Sequence, residues 1–501
     1  MIRRREFLKT MGTAGLAVAG SGALLSACGG GGSSNQSGGG GGGDFSGQTL
    51  TVLTETGPTI ASAVKASIDP FKKATGAQVK LITAPFGQLY TKIMSDFVTG
   101  GGGYDVVICA SSWLGDFHPF ITDLTDRVKN DSSLDWDEVT YKKTGQWAGR
   151  QIGMPVDGDV MLAYYRRDVI EDKGLGRKFK KEFGKPLAPP ESWDDFMNIA
   201  RFFGDGEHGV HGVVEAYKHG GQAFWYYMAN CVAYCTAPDE KGGLFFNPEN
   251  LEPLVNDPGH IKGMENYAEA VKYGPPGMIN FDSNEVRQRF ANGEAVLAID
   301  WLDTPIIGEL QKGSKVKGKI GSQHLPGTNK VWDYKKEQWV TSSKLSIPAW
   351  LAYGGWCGVV PQKADSVDLS YKYLSFMASP DFSLKMVTTP NSGMNPYRTS
   401  HFEDLDAWKK AGYPQPDLNQ YLDAAKKAET NPQAVQDLRL PGASIFQDST
   451  EVAAQQAVSG QSSAKDALDG LVKKWNQVNG KKGKDKQLKE YRASLNLSTS
   501  G

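Results

Sequence analysis

Two short acidic constellations carry the residue types for bond-breaking chemistry. Asp157-Gly158-Asp159 sets two carboxyls two residues apart, and Asp300 and Asp303 bracket a tryptophan and a leucine. Paired carboxyls hydrolyse glycosides when they stand ~5–5.5 Å or ~6.5–9.5 Å apart, one as acid and the other as nucleophile or base. They also accept hydrogen bonds from hydroxyls with no reaction, and no spacing singles out either pair as catalytic. The chain has no Gly-x-Ser-x-Gly elbow, no His-Glu-x-x-His pair and no Gly-Lys-Ser/Thr phosphate loop. The run Gly100 to Gly103 lacks the lysine of such a loop and reads as the end of a helix. Glu207, His208 and His211 could touch a metal, but they sit in a glycine-rich turn with no clear fourth ligand. On these residues no enzymatic activity, no metal and no cofactor is expected.

Aromatic residues are plentiful, with 12 Trp, 19 Tyr and 21 Phe, and none of the Trp precedes residue 44. That suits a large core and also a pocket that stacks rings against a ligand. The formal charge of −1 and the absence of a basic stripe argue against a nucleic-acid partner. Roughly 455 residues follow the glycine run near the start, too many for a single core, so two lobes are expected.

The first residues point to export. Arg3-Arg4-Arg5 opens a basic head, and Met11 to Leu25 is a run of small and apolar residues, about 22 Å as a helix and too short for a ~30 Å hydrocarbon core. This order of segments reads as a signal peptide over 1–27. Arg4-Arg5 followed by Phe7-Leu8-Lys9 resembles a twin-arginine signal, with the general route as the alternative. Leu25-Ser26-Ala27-Cys28 resembles the bacterial lipobox, which implies cleavage before Cys28 and its lipidation. Gly29 to Gly43 is then a flexible tether with a reach of roughly 20 Å. Cys109, Cys231, Cys235 and Cys357 remain, and their pairing is left open. Lys481 onward, to residue 501, reads as a solvated basic and polar tail.

The body alternates strands and helices. Gln48 to Thr54 reads as a strand, Phe71 to Ala74 closes a helix, Ala77 to Ile82 is a second strand, and Tyr104 to Cys109 a third. Strand, helix, strand, helix, strand predicts a parallel sheet with crossovers. Val160 to Tyr165, Ala295 to Ile299 and Gly355 to Val360 read as further buried strands, with helices over Leu369–Met377 and from about Thr450 to Trp475. Gly313 to Ala349, rich in Lys and Trp, carries no motif and is assigned no role.

Several segments resemble, in order, the carbohydrate-type (family 1) extracellular solute-binding proteins of ABC transporters, the group that includes maltose-binding protein. They are Lys92 to Val107, Tyr164 to Val169, Pro190 to Phe196, Phe290 to Trp301, Gly354 to Pro361, Tyr371 to Pro380 and Asn395 to Ser400. The resemblance implies an α/β, two-lobed periplasmic-binding-protein-like fold of type II. Each lobe would be a mostly parallel sheet flanked by helices, with the ligand in the cleft between them. The lobes expected are 47–156 with about 350–435, and about 157–349 with 436–480; residues 28–46 form the lipidated tether.

A sugar offers flat C–H faces and a rim of hydroxyls, so its site needs ring platforms and rigid polar partners at strand ends facing the cleft. On that basis the ligand-binding candidates are Glu55 and Thr56 after the first strand, Gln88 at the start of a helix, and Ser112 and Trp113 after the third strand. Asp157 and Asp159 follow a crossing; Trp225 and Tyr226 lie in an apolar run; Asp300 and Trp301 end a buried strand. Trp356, and Arg398 as a guanidinium fork, complete the set. Trp301→Ala is expected to weaken binding with little effect on thermal stability. The function implied is capture of a carbohydrate or polyol and delivery to an ABC permease by a monomer anchored to the membrane on its extracytoplasmic side. Iron through Tyr164-Tyr165, a polyamine, or an exported carbohydrate hydrolase are the alternatives.

Overall fold

A computed structural model describes residues 45–57, 60–204, 206, 208–235, 243–389 and 392–499. The expected signal peptide over 1–27, Cys28 as its lipidation site, the expected glycine tether to residue 43, and Glu207 lie outside these residues. Asp44–Gly501 forms one compact unit, and among its described residues no helix is long and apolar enough to cross a membrane.

The first lobe is built on a five-stranded sheet. The strand Thr49–Glu55 buries Leu50, Val52 and Leu53 and pairs in parallel with Gln78–Ala84 on one side and Val106–Ala110 on the other. The helix Ile60–Thr75 crosses between the first two strands, anchored by Phe71, whose ring meets Tyr373 edge-on at 5.1 Å. Phe86–Val98 makes the second crossover, burying Leu89, Ile93 and Phe97 at helical spacing. Trp356–Val359 and then Met154–Pro155 extend the sheet antiparallel.

A second sheet runs in the order Ile320–Gln323, Leu162–Arg166, Ala295–Asp300, His211–Val214. Here the expectation of mostly parallel strands is corrected. Leu162–Arg166 is antiparallel to both neighbours, and only His211–Val214 and Ala295–Asp300 are parallel. Leu162–Arg166 enters from the other lobe instead of through a local helical crossover, so the handed βαβ connection does not set its direction.

Three further expectations change. The long helix from Thr450 to Trp475 is two helices, Ala443–Val458 and Ala464–Lys482, separated at Gly460 (φ 75°), with the Ser463 side chain capping the second by accepting from Asp466 N at 3.1 Å. The presumed solvated tail contains the helix Lys484–Ser494, whose Tyr491 is buried against Phe246 at 5.4 Å. The segment assigned whole to the first lobe, about 350–435, divides. Gln415–Glu429 packs on the edge strand of the second sheet, where Asp417 accepts from Ile320 N at 2.7 Å and Arg167 Nη2 lies 2.5 Å from its other oxygen. The segment left without a role supplies that edge strand and a hairpin, Thr328–Asp333 with Gln338–Ser346.

Candidate functional site

A cavity of about 240 Å³ opens between the two sheets. Its wall takes Glu55, Phe86 and Trp356 from the first lobe, and Gln222, Asp282, Ser283, Asn284, Arg287, Trp301 and Asp303 from the second. Asp157, Asp159 and Tyr353 come from segments that pass between the lobes, and Asn395 from the chain after the helix Pro380–Val387. Pockets for drug-sized ligands run to ~300–1,000 Å³, so a cavity of about 240 Å³ suits a smaller solute.

Three rings shape it. Tyr353 and Trp356 lie 5.3 Å apart. Trp301 donates from Nε1 to Ala352 O at 3.1 Å, which ties the end of a second-lobe strand to the crossing. Tyr353 holds φ 68°, ψ −25°, a left-handed conformation that costs a non-glycine residue about 1–3 kcal/mol. Asp437 braces it, accepting from Tyr353 N at 3.2 Å and from Trp225 Nε1 at 2.7 Å through the same oxygen. Gly355 follows at φ 73°, and a Cβ there would stand 2.4 Å from Asp157 O, so only glycine allows the crossing to pass this close.

The polar wall is acidic. Arg287 is its guanidinium, and it is already engaged: Nε donates to Asp300 Oδ2 at 2.8 Å, and Nη2 lies 3.0 Å from Asp303 Oδ2. Asp157 accepts from Asn395 N at 2.5 Å through Oδ1, and its Oδ2 has no hydrogen-bond partner. Burial pushes the Asp157 carboxyl up to about 7. Asp159 is driven well above the ordinary carboxylate range by burial and by Asp157 and Asp303 beside it, with Arg287 as a weaker counterweight. Burial also raises Asp303, against the pull of Arg287.

Of the thirteen ligand candidates, the structure brings Glu55, Asp157, Asp159, Trp301 and Trp356 to this wall. Trp113 stands behind it, its ring 5.8 Å from Phe86 and 6.4 Å from Tyr353. Trp225 also backs the wall, 5.4 Å from Tyr353 and 6.0 Å from Trp301. Tyr226 and Asp300 bond to each other at 2.6 Å, fully buried. Ser112 is buried away from the lining, and Thr56 and Gln88 are exposed. Arg398 is corrected most plainly: it is buried in the first lobe and donates to the carbonyls of Ala378, Leu134 and Asp135 at 3.1, 2.7 and 3.1 Å, a staple between loops. Its segment reaches the cavity through Asn395 instead.

Tyr164 is also excluded from metal work in this arrangement. It is fully buried and donates its hydroxyl to Trp301 O at 2.7 Å. Among the described residues no group of His, Cys, Asp and Glu is arranged to hold a metal ion.

The residues missed in the sequence are Phe86, Gln222, Asp282 to Asn284, Arg287, Tyr353 and Asn395. One local signal was present: Asp282-Ser-Asn-Glu285 is a capping box that starts the helix Ser283–Ala291 and sets its first turn at the cavity. Arg287 lies one turn further along the same helix.

Two sheets with an acidic, ring-lined cavity between them define a two-lobed solute receptor. The chain belongs to the bacterial extracellular solute-binding protein family, whose model matches residues 51–382. It is similar to a probable amino-acid ABC transporter periplasmic-binding protein, y4oP, of Sinorhizobium fredii, 24% identical over 377 residues that cover 73% of this chain and 76% of the relative. It is similar also to the erythritol/L-threitol-binding protein of Mycolicibacterium smegmatis, 22% identical over 388 residues, covering 70% and 76%. Among solved structures, an ABC transporter solute-binding protein of Agrobacterium radiobacter in complex with ribitol shares the fold. Its TM-score is 0.69 at 21% identity, covering 87% of this chain and all of that one.

Proposed function

We propose that this protein is an exported, lipid-anchored receptor that captures a small polyol or monosaccharide in its interlobe cavity and delivers it to an ABC permease. The observation that carries the reading is the wall itself. Rings of Trp301, Trp356 and Tyr353 supply faces for C–H groups, and a set of fixed carboxyls and amides accepts hydroxyl protons around a space of about 240 Å³. The relatives that bind erythritol, threitol and ribitol agree in solute size. An amino acid, as the name of the Sinorhizobium relative suggests, fits less well. Its α-carboxylate would face the acids of the wall, and Arg287 is already committed to Asp300 and Asp303. Closure of the lobes over the solute would present one closed outline to the permease. The signal peptide, the lipidated Cys28 and the glycine tether keep a monomer near the membrane and free to turn. The role is binding without turnover.

The test is a thermal-shift panel on residues 44–501 with ribitol, erythritol, mannitol, glucose, maltose and glycine. A solute at 100 times its Kd stabilises the folded state by roughly 2.7 kcal/mol. A rise with a four- to six-carbon polyol or sugar, and no product on incubation, supports the reading. A rise with glycine alone would replace the ligand class, and release of product would reopen the carboxyl pairs as catalysts.

A further inference from the structure

We propose that the preferred cargo is a small hydroxylated solute bearing one ammonium group, an amino-polyol or amino-monosaccharide, with the ammonium seated at Asp157 and Asp159. The inference rests on the reading of this cavity as the polyol site and narrows it.

The argument begins with which acids of the wall already have cations. Asp282 is 3.2 Å from Lys218 Nζ. Asp303 and, behind the wall, Asp300 share Arg287. Asp157 and Asp159 have no ion pair among the described residues, although they are only 1% and 6% exposed. Asp157 Oδ2 is without a hydrogen bond, and so is Oδ1 of Asn395, itself 1% exposed. Both of these groups line the cavity.

Two acceptors without a protein N–H or hydroxyl donor, next to a second carboxyl that bonds Asp157 only through a shared proton, suit a donor-rich, positively charged group. A hydroxyl brings one proton and no charge. A primary ammonium brings three donors and a full charge, and has no lone pair to set against the carboxyls. Burying a carboxylate without a countercharge is costly, and an ammonium removes that cost, while a neutral polyol leaves protons to do it. The rings of Trp301, Trp356 and Tyr353 add faces that favour a cation over a neutral group. The remaining wall, with Asn284, Ser283 and Gln222, is left for the hydroxyls.

The charged and titratable groups around the two aspartates are consistent with one added cation. Asp303 and Glu429 face Asp157 as acids, and Tyr141, Tyr397 and Tyr421 as phenols. Arg287 acts on Asp159 from its place between Asp300 and Asp303. Below about pH 7 a proton sits on Asp157 in the solute-free cavity; above it, an ammonium supplies the missing positive charge.

The experiment is calorimetry on the full chain in detergent near pH 8, with two matched pairs whose amines stay protonated from pH 6 to 8: 1-amino-1-deoxyglucitol against glucitol, and 6-amino-6-deoxyglucose against glucose. The expected result is an amine that binds at least about tenfold tighter than its neutral parent. The preference should shrink about tenfold near pH 6, as Asp157 takes up its proton, and it should move toward unity in Asp159→Asn. The pH arm uses the unaltered protein, so it holds even where the variant folds poorly. Neutral parents that bind as well as the amines would overturn the inference and leave the polyol reading standing. Putrescine binding as tightly as the sugar amines would overturn the hydroxylated class. Binding by no member of either pair overturns the inference, and the polyol reading falls with it only when ribitol and erythritol fail to bind as well.

Discussion

Arg287 and Asp300 are bonded twice, through Nε at 2.8 Å and Nη2 at 3.4 Å, and only the arginine of the two reaches the cavity. Asp300 is completely buried, and its two oxygens also accept from Thr304 Oγ1 and Tyr226 OH, each at 2.6 Å. A second-lobe strand end thereby fixes the direction of a guanidinium that lines the solute site.

Removing the negative charge at Asp300 should therefore act at a distance. Asp300→Asn leaves Arg287 with one carboxylate, Asp303, and sets an amide among four donors. Breaking a buried pair of this kind costs about 3–5 kcal/mol. The expected outcome is a lower Tm together with weaker binding of whichever polyol stabilises the parent. Thr304→Ala removes a single bond to the same carboxylate, and calorimetry should show a smaller loss of affinity. Unchanged affinity in both variants would detach Arg287 from the site.

Trp301 is at once wall and core. It is 2% exposed, lies 5.5 Å from Tyr226, and donates to the crossing at Ala352. The expectation of an undisturbed thermal transition in Trp301→Ala is thus revised: removal of a buried indole costs about 3–5 kcal/mol. Both Tm and affinity should fall. Trp301→Phe keeps a ring face and loses the Nε1 bond, so it should recover part of the Tm and separate the two effects in a thermal-shift titration.

Cys109 and Cys357 are direct partners across the antiparallel ladder that joins the third strand to the returning one, and both are buried as free thiols. Cys231 and Cys235 lie on one helix, four residues apart, where a bridge is sterically awkward. The facing pair Cys109 and Cys357 is expected to oxidise to a bridge in an oxidising compartment, so thiol counting on denatured, unreduced residues 44–501 should find two thiols, those of the helix. Reduction should lower Tm, since the bridge closes a long loop. Four thiols would show that the sheet pair stays reduced.

Stability should fall with pH above neutrality. Burial raises Glu215 to about 8 and Asp437 to about 7. Above the ordinary carboxylate range, the folded protein keeps protons there that the unfolded chain releases, so their contribution is lost as pH rises through 7 and 8. His260 opposes this below about 6.5, because burial lowers it to about 4 and the unfolded chain then binds the extra proton. The two effects offset one another in mild acid, and the decline should stand alone from about pH 6.5 to 8.5. Glu215→Gln should flatten that decline and raise Tm at the alkaline end. Glu215 accepts from Asn230 at 3.0 Å and has one oxygen unpartnered, so the amide loses little.

The strands of the first sheet were legible because Thr49–Glu55 alternates polar and apolar residues, Val106–Ala110 is an apolar run, and helices of clear period lie between them. The helix Lys484–Ser494 was not, because its lysines dominate the composition and its buried face rests on Gln487 and Tyr491. Within the site, Glu55, Asp157 and Trp301 could be read because chain segments that run toward a cleft end at its wall. Arg287 could not. Its place depends on Asp300, thirteen residues away and reached only after the helix turns back onto the sheet. Asn395 and Arg398 show the limit from the other side: the segment was recognisable, but which of its polar side chains faces the cavity is decided by the carbonyls of Leu134 and Ala378.

Tyr353 stands in the chain between Trp350–Leu351, paired with Val435–Gln436, and Trp356–Val359 in the first sheet. Its ring lines the cavity while its left-handed backbone is clamped by Asp437. A solute seated against the phenol therefore touches the same residue whose backbone joins the lobes. Cargo contact and the junction of the lobes thus meet in one residue, held in place by Asp437.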